Sequence, residues 1–390
     1  MPHVYGLDEH ALTFAESAQQ LADDVLARHA VKVDREGRFP TEGLRALAAE
    51  RLLGLTVAEA LGGRGAGLRA FVAVAEELAR GCASTAMIYV MHTSATQAIA
   101  ASTLADRDAV LSQIARGEHL TTLALSEKGS RSQFWAPVSQ LRAHGDGFVT
   151  TAAKSWVTSA NEADSYVSSA QMPGAQSPLQ STLYFARTQS DAVRPQPGFD
   201  GLGLRGNDSA PVSLEELPVA KSDLMTEQGK GADMMLQVIL PWFAVGSAAM
   251  ANGLCRAAVA ATAAHLSSTT FAHDGKALRD LPQLRARLAE MHTRTEASRS
   301  LLARTLGEME AGSAEAPLFV LSARKLALAT AVDVTDLAMK ACGGAAFSRQ
   351  TAHAPIERMF RDARAGWVMA PTVDHLDDFI GKALTGLPLF

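Results

Sequence analysis

The sequence predicts an α+β protein that is mostly α-helical, with an N-terminal helical domain, a middle β-domain and a C-terminal four-helix bundle. Apolar residues recur at helical spacing over residues 1–118, which predicts the first domain. Short apolar runs broken by Gly, Pro, Ser and Asp over residues 119–228 are typical of strands. Long Ala- and Leu-rich stretches then return over residues 229–390. At 390 residues the chain is long enough for two or three domains around a large buried core.

The first domain is predicted to consist of helices separated by recognisable turns. Apolar residues such as Leu21 and Val25 repeat at helical spacing. The segment Arg38-Phe39-Pro40-Thr41 separates two helices, and we expect the Thr41 side chain to cap the second one. A glycine-rich turn over residues 61–67 precedes the next helix.

The middle domain is predicted from apolar runs that are too short for helices. Gly147-Phe148-Val149-Thr150 is one of them, and Gly145-Asp146-Gly147 before it suits a tight hairpin turn. The polar stretch at residues 173–181 is expected to form an exposed loop.

The C-terminal domain contains helical runs over residues 232–266, 277–311 and 314–342, long enough for a four-helix bundle. Residues 234–255 carry no charged side chain over a length that could cross a bilayer. Gln237, Pro241, Ser247 and Asn252 interrupt this segment, and its small residues suit close helix packing. We therefore expect a buried bundle helix and no membrane span.

Composition excludes several classes of partner and of site. The net charge of −5 and a pI near 6.1 provide no basic field, so neither nucleic acid nor an anionic membrane is expected as a main partner. The first residues lack the basic start and apolar core of a secretory signal. Cys82, Cys255 and Cys342 are widely spaced and odd in number, which indicates reduced thiols in a cytoplasmic protein and no metal site.

The end of the chain carries a composite motif. Gly343-Gly344 is followed by the charge-rich segment Glu357-Arg358-Met359-Phe360-Arg361-Asp362-Ala363-Arg364 and by Val368-Met369-Ala370-Pro371-Thr372. This pattern resembles the C-terminal signature of acyl-CoA dehydrogenases, and the order of domains resembles that family over essentially the whole chain. The resemblance implies an FAD-dependent oxidoreductase that acts on an acyl thioester. At the position of the family's proton-abstracting carboxylate, this chain has Ala370.

The β-domain contains the match to the family's flavin and substrate loop. Leu123-Ala124-Leu125-Ser126 leads into residues 127–132, and the resemblance implies that the Leu125 backbone and the Ser126 side chain bind the flavin. Ser132 is retained and is implied to contact substrate. The loop departs from the family's Glu-Pro-Gly-Ala-Gly-Ser-Asp pattern at Lys128, Ser130, Arg131 and Gln133.

Farther along, Lys154-Ser155-Trp156-Val157-Thr158-Ser159 is similar to the family's Lys-X-Trp-Ile-Thr segment. The resemblance implies that the Trp156 indole lies beside the isoalloxazine and that the Thr158 hydroxyl reaches flavin N5. An aromatic wall that excludes water and a donor at N5 both suit a redox site.

In this family a neighbouring subunit completes the FAD site, so the resemblance implies a homotetramer or at least a homodimer. The matching positions here are Phe271, Lys340, Gly343, Gly344 and Thr372. Ser268 stands where the family has an arginine near the pyrophosphate, and Lys340 is expected to supply a replacement charge.

No proton acceptor is evident at the family's known base positions. The alternative position on the first bundle helix is Ile239, which is followed by Leu240 and has Gln237 in the same turn. The remaining candidates for a base are His92, which is the leading one, and three residues near the C-terminal signature, namely His353, Asp374 and His375. A histidine on an apolar helix is more often a hydrogen-bonded core residue.

Three functions remain open on the sequence. The first is an FAD-dependent dehydrogenase that oxidises an acyl thioester or a related small molecule with a non-standard base and passes electrons to a partner. The second is a flavin-dependent monooxygenase or oxidase on the same scaffold, because the reaction of reduced flavin with oxygen needs no α-proton base. The third is a non-catalytic flavin-binding or acyl-thioester-binding protein.

Overall fold

The computed structural model describes residues 3–349 and 355–389 of the chain. Its order of helices, strands and helices confirms the predicted α+β, mostly helical architecture. From residue 3 onward, the first domain has six α-helices: α1 (Glu9–Leu21), α2 (Ala27–Glu36), α3 (Thr41–Ala49), α4 (Leu68–Gly81), α5 (Ala83–Ala100) and α6 (Arg107–Ala115). A π-helical turn, Ala22–Leu26, joins α1 to α2.

The helix ends follow from local capping chemistry. The Asp8 side chain accepts a hydrogen bond of 2.7 Å from the Ala11 amide and thereby caps α1. Gly37 ends α2 in the left-handed conformation. The prediction that Thr41 caps α3 is wrong, because Thr41 is itself the first helical residue and Pro40 precedes it without a side-chain cap.

In the described part of the chain, seven strands form two small sheets: β1 (Thr121–Ala124), β2 (Leu141–His144), β3 (Gly147–Val157), β4 (Ser165–Gln171), β5 (Ser181–Arg187), β6 (Val193–Pro195) and β7 (Ala210–Val219). One sheet has the order β1-β4-β5, with β1 parallel to β4 and β4 antiparallel to β5. The other is antiparallel, in the order β2-β3-β7-β6. His144 pairs with Gly147, which confirms the predicted tight hairpin. Side chains from both sheets share one hydrophobic cluster.

The remaining helices are α7 (Gly231–Met234), α8 (Leu240–Ser268), α9 (Pro282–Glu310), α10 (Ala316–Cys342), α11 (Gly344–Phe347), α12 (Ile356–Val368) and α13 (Val373–Thr385). The three long helices α8, α9 and α10 pack side by side, and α12 and α13 pack against α10. Over its described residues, the bundle therefore combines three long helices with two short ones. A second π-helical turn, Met235–Ile239, leads into α8.

The apolar helix at the start of the bundle is a core element. Among the described residues, the continuous helical segment Gly231–Ser268 is long and apolar enough to cross a membrane. However, 61 % of its most apolar stretch of 18 residues is buried inside the protein. It packs against α4, α5, α9 and α10. This burial agrees with the predicted bundle helix.

Candidate active site

A cavity of about 500 Å³ lies where the three domains meet. Its lining comes from α5, from the end of β1 and the loop after it, from the end of β3, from residues 199–209, from the start of α8, and from α12 and the turn that follows. Because every domain contributes, the cavity exists only in the assembled fold. A mostly apolar cavity with a few polar groups is the usual form of a small-molecule site.

One wall of the cavity is aromatic. Trp156 and Phe199 stack with ring centroids 4.0 Å apart and planes inclined by 27°, and 61 % of Trp156 is exposed. The pairing of β3 with β7 slips by one residue between Lys154 and Val157, and Trp156 has a φ of 57° within this bulge. A bulge redirects a side chain that a regular strand would point elsewhere. The bulge therefore presents the indole to the cavity.

Hydroxyl groups border the same wall. Ser126 lies at the cavity just after β1, and within the described chain its side chain makes no hydrogen bond. Thr158 Oγ1 is 3.4 Å from Ser209 Oγ. Leu125 lines the cavity as well. The structure thus places Leu125, Ser126, Trp156 and Thr158 in the lining of one cavity.

The loop at residues 127–132 is anchored by a buried ion pair. Lys154 Nζ lies 2.6 Å from Glu127 Oε1 and donates to the Ser169 carbonyl at 2.7 Å. Glu127 also accepts hydrogen bonds from the Val138 amide and from the amide and hydroxyl of Ser139. Burial raises the pKa of Glu127, but Lys154 and these donors outweigh it and hold that pKa below its ordinary value. Glu127 is therefore a charged anchor and not a proton acceptor.

A second cavity loop was not anticipated from the sequence. Residues 198–206 contain four glycines, and a Cβ atom at Gly203 would lie 2.4 Å from the Arg361 carbonyl oxygen. The Leu204 amide donates to Asp362 at 2.7 Å, and Arg361 donates to the Leu202 carbonyl at 3.0 Å. The cluster of glycines is the sequence signal that could have identified this close approach to α12.

Both expected base positions are at the cavity and both are apolar. Ala370 lines it directly after α12, and Ile239 lines it at the end of the second π-helical turn. Leu240 packs beside them, whereas Gln237 is exposed. Within the described lining, Glu127 is the one carboxylate and no histidine is present. No described lining side chain of one protomer is therefore available to accept an α-proton.

A buried arginine that the sequence analysis missed supports the turn at Ala370. Arg324 on α10 is fully buried and donates to the carbonyl oxygens of Pro371 at 2.9 Å and of Met369 and Ala370 at 3.3 Å. Its guanidinium lies 4.8 Å from the centre of the Phe243 ring, which lines the cavity. Burial lowers the pKa of Arg324 to about 9, so the side chain stays charged at neutral pH.

His92, the leading candidate for a base, does not line the cavity. It is completely buried on α5, with Nε2 3.2 Å from the Leu53 carbonyl and Nδ1 3.2 Å from the Thr121 amide. Burial lowers its pKa to about 4. The structure therefore corrects the prediction, since these contacts are those of a core histidine that bridges α5 and β1.

The other candidates for a base are also absent from the described lining. His375 Nδ1 lies 3.1 Å from Thr372 Oγ1, and Asp374 is exposed in the first turn of α13. His353 falls outside the described residues. Ser132, the predicted substrate contact, does line the cavity.

The residues expected to complete a neighbouring site lie away from the cavity of their own protomer. Phe271 follows α8, and Lys340 forms an ion pair with Asp336 at 2.6 Å. Gly343 ends α10 with a φ of 58°, and a Cβ atom at Gly343 or Gly344 would meet no atom of the described residues within 4 Å. Thr372 caps α13. Their predicted role in a second subunit stays a prediction.

Comparison with known proteins agrees with this arrangement. Residues 8–118 match the acyl-CoA dehydrogenase N-terminal domain, and residues 229–384 match the acyl-CoA dehydrogenase C-terminal domain. The mitochondrial short-chain specific acyl-CoA dehydrogenase of Bos taurus is 28 % identical over 361 residues, which cover 90 % of this chain and 84 % of the relative.

Solved structures share the fold. Butyryl-CoA dehydrogenase from Megasphaera elsdenii superposes with a TM-score of 0.91 at 21 % identity and covers 97 % of this chain and 99 % of its own. The FAD complex of PigA superposes with a TM-score of 0.89 at 18 % identity and covers 97 % and 98 %. The fold and the family matches define an oxidoreductase of the flavoprotein type. The chain belongs to the acyl-CoA dehydrogenase family.

Proposed function

We propose that this protein binds FAD in the cavity and oxidises an acyl thioester or a closely related small molecule. The observation that carries the proposal is the convergence of the Trp156 and Phe199 wall with the Ser126 and Thr158 hydroxyls on one cavity. The site thus offers a flat aromatic surface for a ring system and hydrogen-bonding groups for its polar edge. FAD, when bound, supplies the hydride acceptor.

The rest of the cavity suits the acyl part of a substrate. Met87, Leu123 and Phe243 give it an apolar lining, which excludes water from a reacting carbon. Ala370 and Ile239 add two more apolar contacts and no base. The proton acceptor therefore lies outside the described lining of one protomer, and a neighbouring copy is one source of it.

Absorption spectroscopy of the purified protein tests this proposal. We expect a yellow protein with bound FAD, and we expect a panel of acyl thioesters to include one that bleaches the flavin under anaerobic conditions. A colourless protein that takes up no added FAD would contradict flavin binding and favour a non-catalytic thioester-binding protein. A yellow protein that no thioester bleaches would contradict the dehydrogenase reaction alone.

A second function, oxygen-dependent oxidation, is favoured by one specific observation. The described cavity lining has no free carboxylate or histidine, and the reaction of reduced flavin with oxygen needs no α-proton base. The test is substrate-stimulated oxygen consumption with a chemical supply of reduced flavin. An oxygenated product, or an oxidised product formed together with hydrogen peroxide, would support this function, whereas oxygen uptake that leaves the substrate unchanged would indicate uncoupled oxidation and count against it.

A further inference from the structure

Two exposed cationic side chains that line the cavity have no ion-pair partner among the described residues. Lys128 and Arg131 both line the cavity and are both exposed, and neither forms an ion pair with any described residue. Arg205, a third lining cation, is different because it pairs with Asp200 and donates to the Asp34 carbonyl at 2.9 Å. Lys128 and Arg131 are therefore free to meet an anion that enters the cavity.

The backbone that carries Arg131 adopts a conformation that ordinary residues avoid. Arg131 has a φ of 49° and Ser132 has a φ of 69°, so two successive non-glycine residues lie in the left-handed region. Such strain persists where the surrounding structure enforces it, and it is concentrated at ligand sites. Glycine would adopt this backbone without steric strain, so the arginine at this position carries a conformational penalty.

The loop is also firmly held at its base. The Lys128 amide donates to the Ala153 carbonyl at 2.9 Å, and the Ser130 hydroxyl donates to the Glu127 carbonyl at 3.0 Å. With the buried pair of Glu127 and Lys154, these bonds fix the loop relative to β3, which carries Trp156. The loop that carries Arg131 is thus fixed to the strand that carries Trp156, and both residues line the same cavity.

We propose that Lys128 and Arg131 form an anion site that binds a phosphate ester at the cavity mouth. Phosphate suits this pair because arginine offers a planar fork of donors and lysine a compact point charge. The exposed position suits the charged and hydrated end of a ligand, not its reacting carbon. The inference rests on the proposed function, since the phosphate belongs either to the FAD diphosphate or to the carrier of the thioester.

Binding measurements on matched variants distinguish the two sources. The variants are Arg131→Gly, Lys128→Gln and, as a control, Arg45→Gln, which removes an exposed arginine of α3 outside the cavity lining. If the site holds the flavin diphosphate, Arg131→Gly will raise the Kd of FAD by about tenfold to a hundredfold and leave the Kd of riboflavin within about twofold. If it holds the substrate carrier, Arg131→Gly will weaken binding of butyryl-CoA by a similar factor and leave butyryl-N-acetylcysteamine unaffected. Lys128→Gln should act in the same direction, and Arg45→Gln should change none of these values.

Two further measurements keep failure of the inference separate from failure of the proposed function. Calorimetric titration with inorganic pyrophosphate tests the anion site without any flavin, and we expect binding to the unmodified protein that Arg131→Gly abolishes. Thermal unfolding of Arg131→Gly should occur at the same or a higher temperature, because glycine relieves the backbone strain. The inference is overturned if Arg131→Gly affects pyrophosphate, FAD and butyryl-CoA no more than Arg45→Gln does. It is also overturned if Arg131→Gly weakens riboflavin binding by about tenfold or more, to the same extent as FAD binding.

Discussion

Replacing Lys154 with methionine tests whether the cavity loop depends on the buried ion pair. The side chain of Lys154 is 0 % exposed and that of Glu127 is 3 % exposed, so Lys154→Met leaves a carboxylate buried without its cation. Removing one partner of a buried pair typically costs about 3–5 kcal/mol. Glu127 keeps three hydrogen bonds of 2.6–2.8 Å from Val138 and Ser139. We therefore expect the lower end, about 3 kcal/mol of unfolding free energy.

The matched control breaks an exposed pair in the same domain. Arg142 on β2 and Glu216 on β7 lie 2.5 Å apart with side chains that are 57 % and 64 % exposed. Solvent screens such pairs, so Arg142→Met should leave stability almost unchanged. Adding Glu127→Gln to Lys154→Met removes the uncompensated charge and should restore part of the loss.

Urea unfolding at neutral pH measures the stability effect, and FAD titration reports whether the loop still binds. The reasoning is refuted if Lys154→Met loses no more stability than Arg142→Met. The sign of the pH dependence gives a second check. The folded pKa of Glu127 is lowered, so its contribution to stability is present above the ordinary value of 4.5 and is lost as pH falls through the lower folded pKa. Lys154→Met should flatten this acid-side slope.

Three other changes give separate expected outcomes. Trp156→Ala should raise the Kd of FAD about tenfold by removing the aromatic surface, as measured by flavin fluorescence. An unchanged Kd would show that the isoalloxazine ring does not lie on this wall. Arg324→Met should destabilise the protein by about 2–4 kcal/mol in urea unfolding, because three carbonyl oxygens lose their donor while a buried charge is also removed; a more stable variant would show that the charge outweighs those bonds. If a second copy contributes Phe271 and Lys340, dilution of the protein below the dissociation constant of the oligomer should release FAD, whereas an FAD Kd that does not depend on protein concentration would show that one protomer suffices.

Much of the fold could be predicted because the spacing of apolar residues changes from helical to strand-like and back at the points where the helical domain, the β-domain and the bundle meet. The site was harder to predict, and His92 shows why. All but a few residues of α5 are buried, so its sequence has no polar face that would show which side meets the cavity. The apolar pattern identifies a core helix and leaves the direction of each side chain undetermined.

Arg324 and Trp156 illustrate two other limits. Two adjacent basic residues such as Arg324 and Lys325 are typical of the solvated face of a helix. In the structure, Arg324 is fully buried and Lys325 forms an ion pair with Asp377 at 3.2 Å. The acceptors of Arg324 are backbone carbonyls about 45 residues farther along the chain, which no local pattern reveals. The motif identified Trp156, but the bulge that turns its ring outward depends on the pairing of β3 with β7.

Restoring a carboxylate at Ala370 tests the central claim most directly. If the cavity holds the flavin at the Trp156 wall and the acyl group beside Ala370, Ala370→Glu should place a base next to the α-carbon. A positioned general base contributes about 10²–10⁴-fold to rate. Stopped-flow measurement of anaerobic flavin reduction by a saturated acyl thioester should therefore show an increase of that order over the unmodified protein. An Ala370→Glu variant that is folded, binds FAD and reduces its flavin no faster would contradict this arrangement of the cavity.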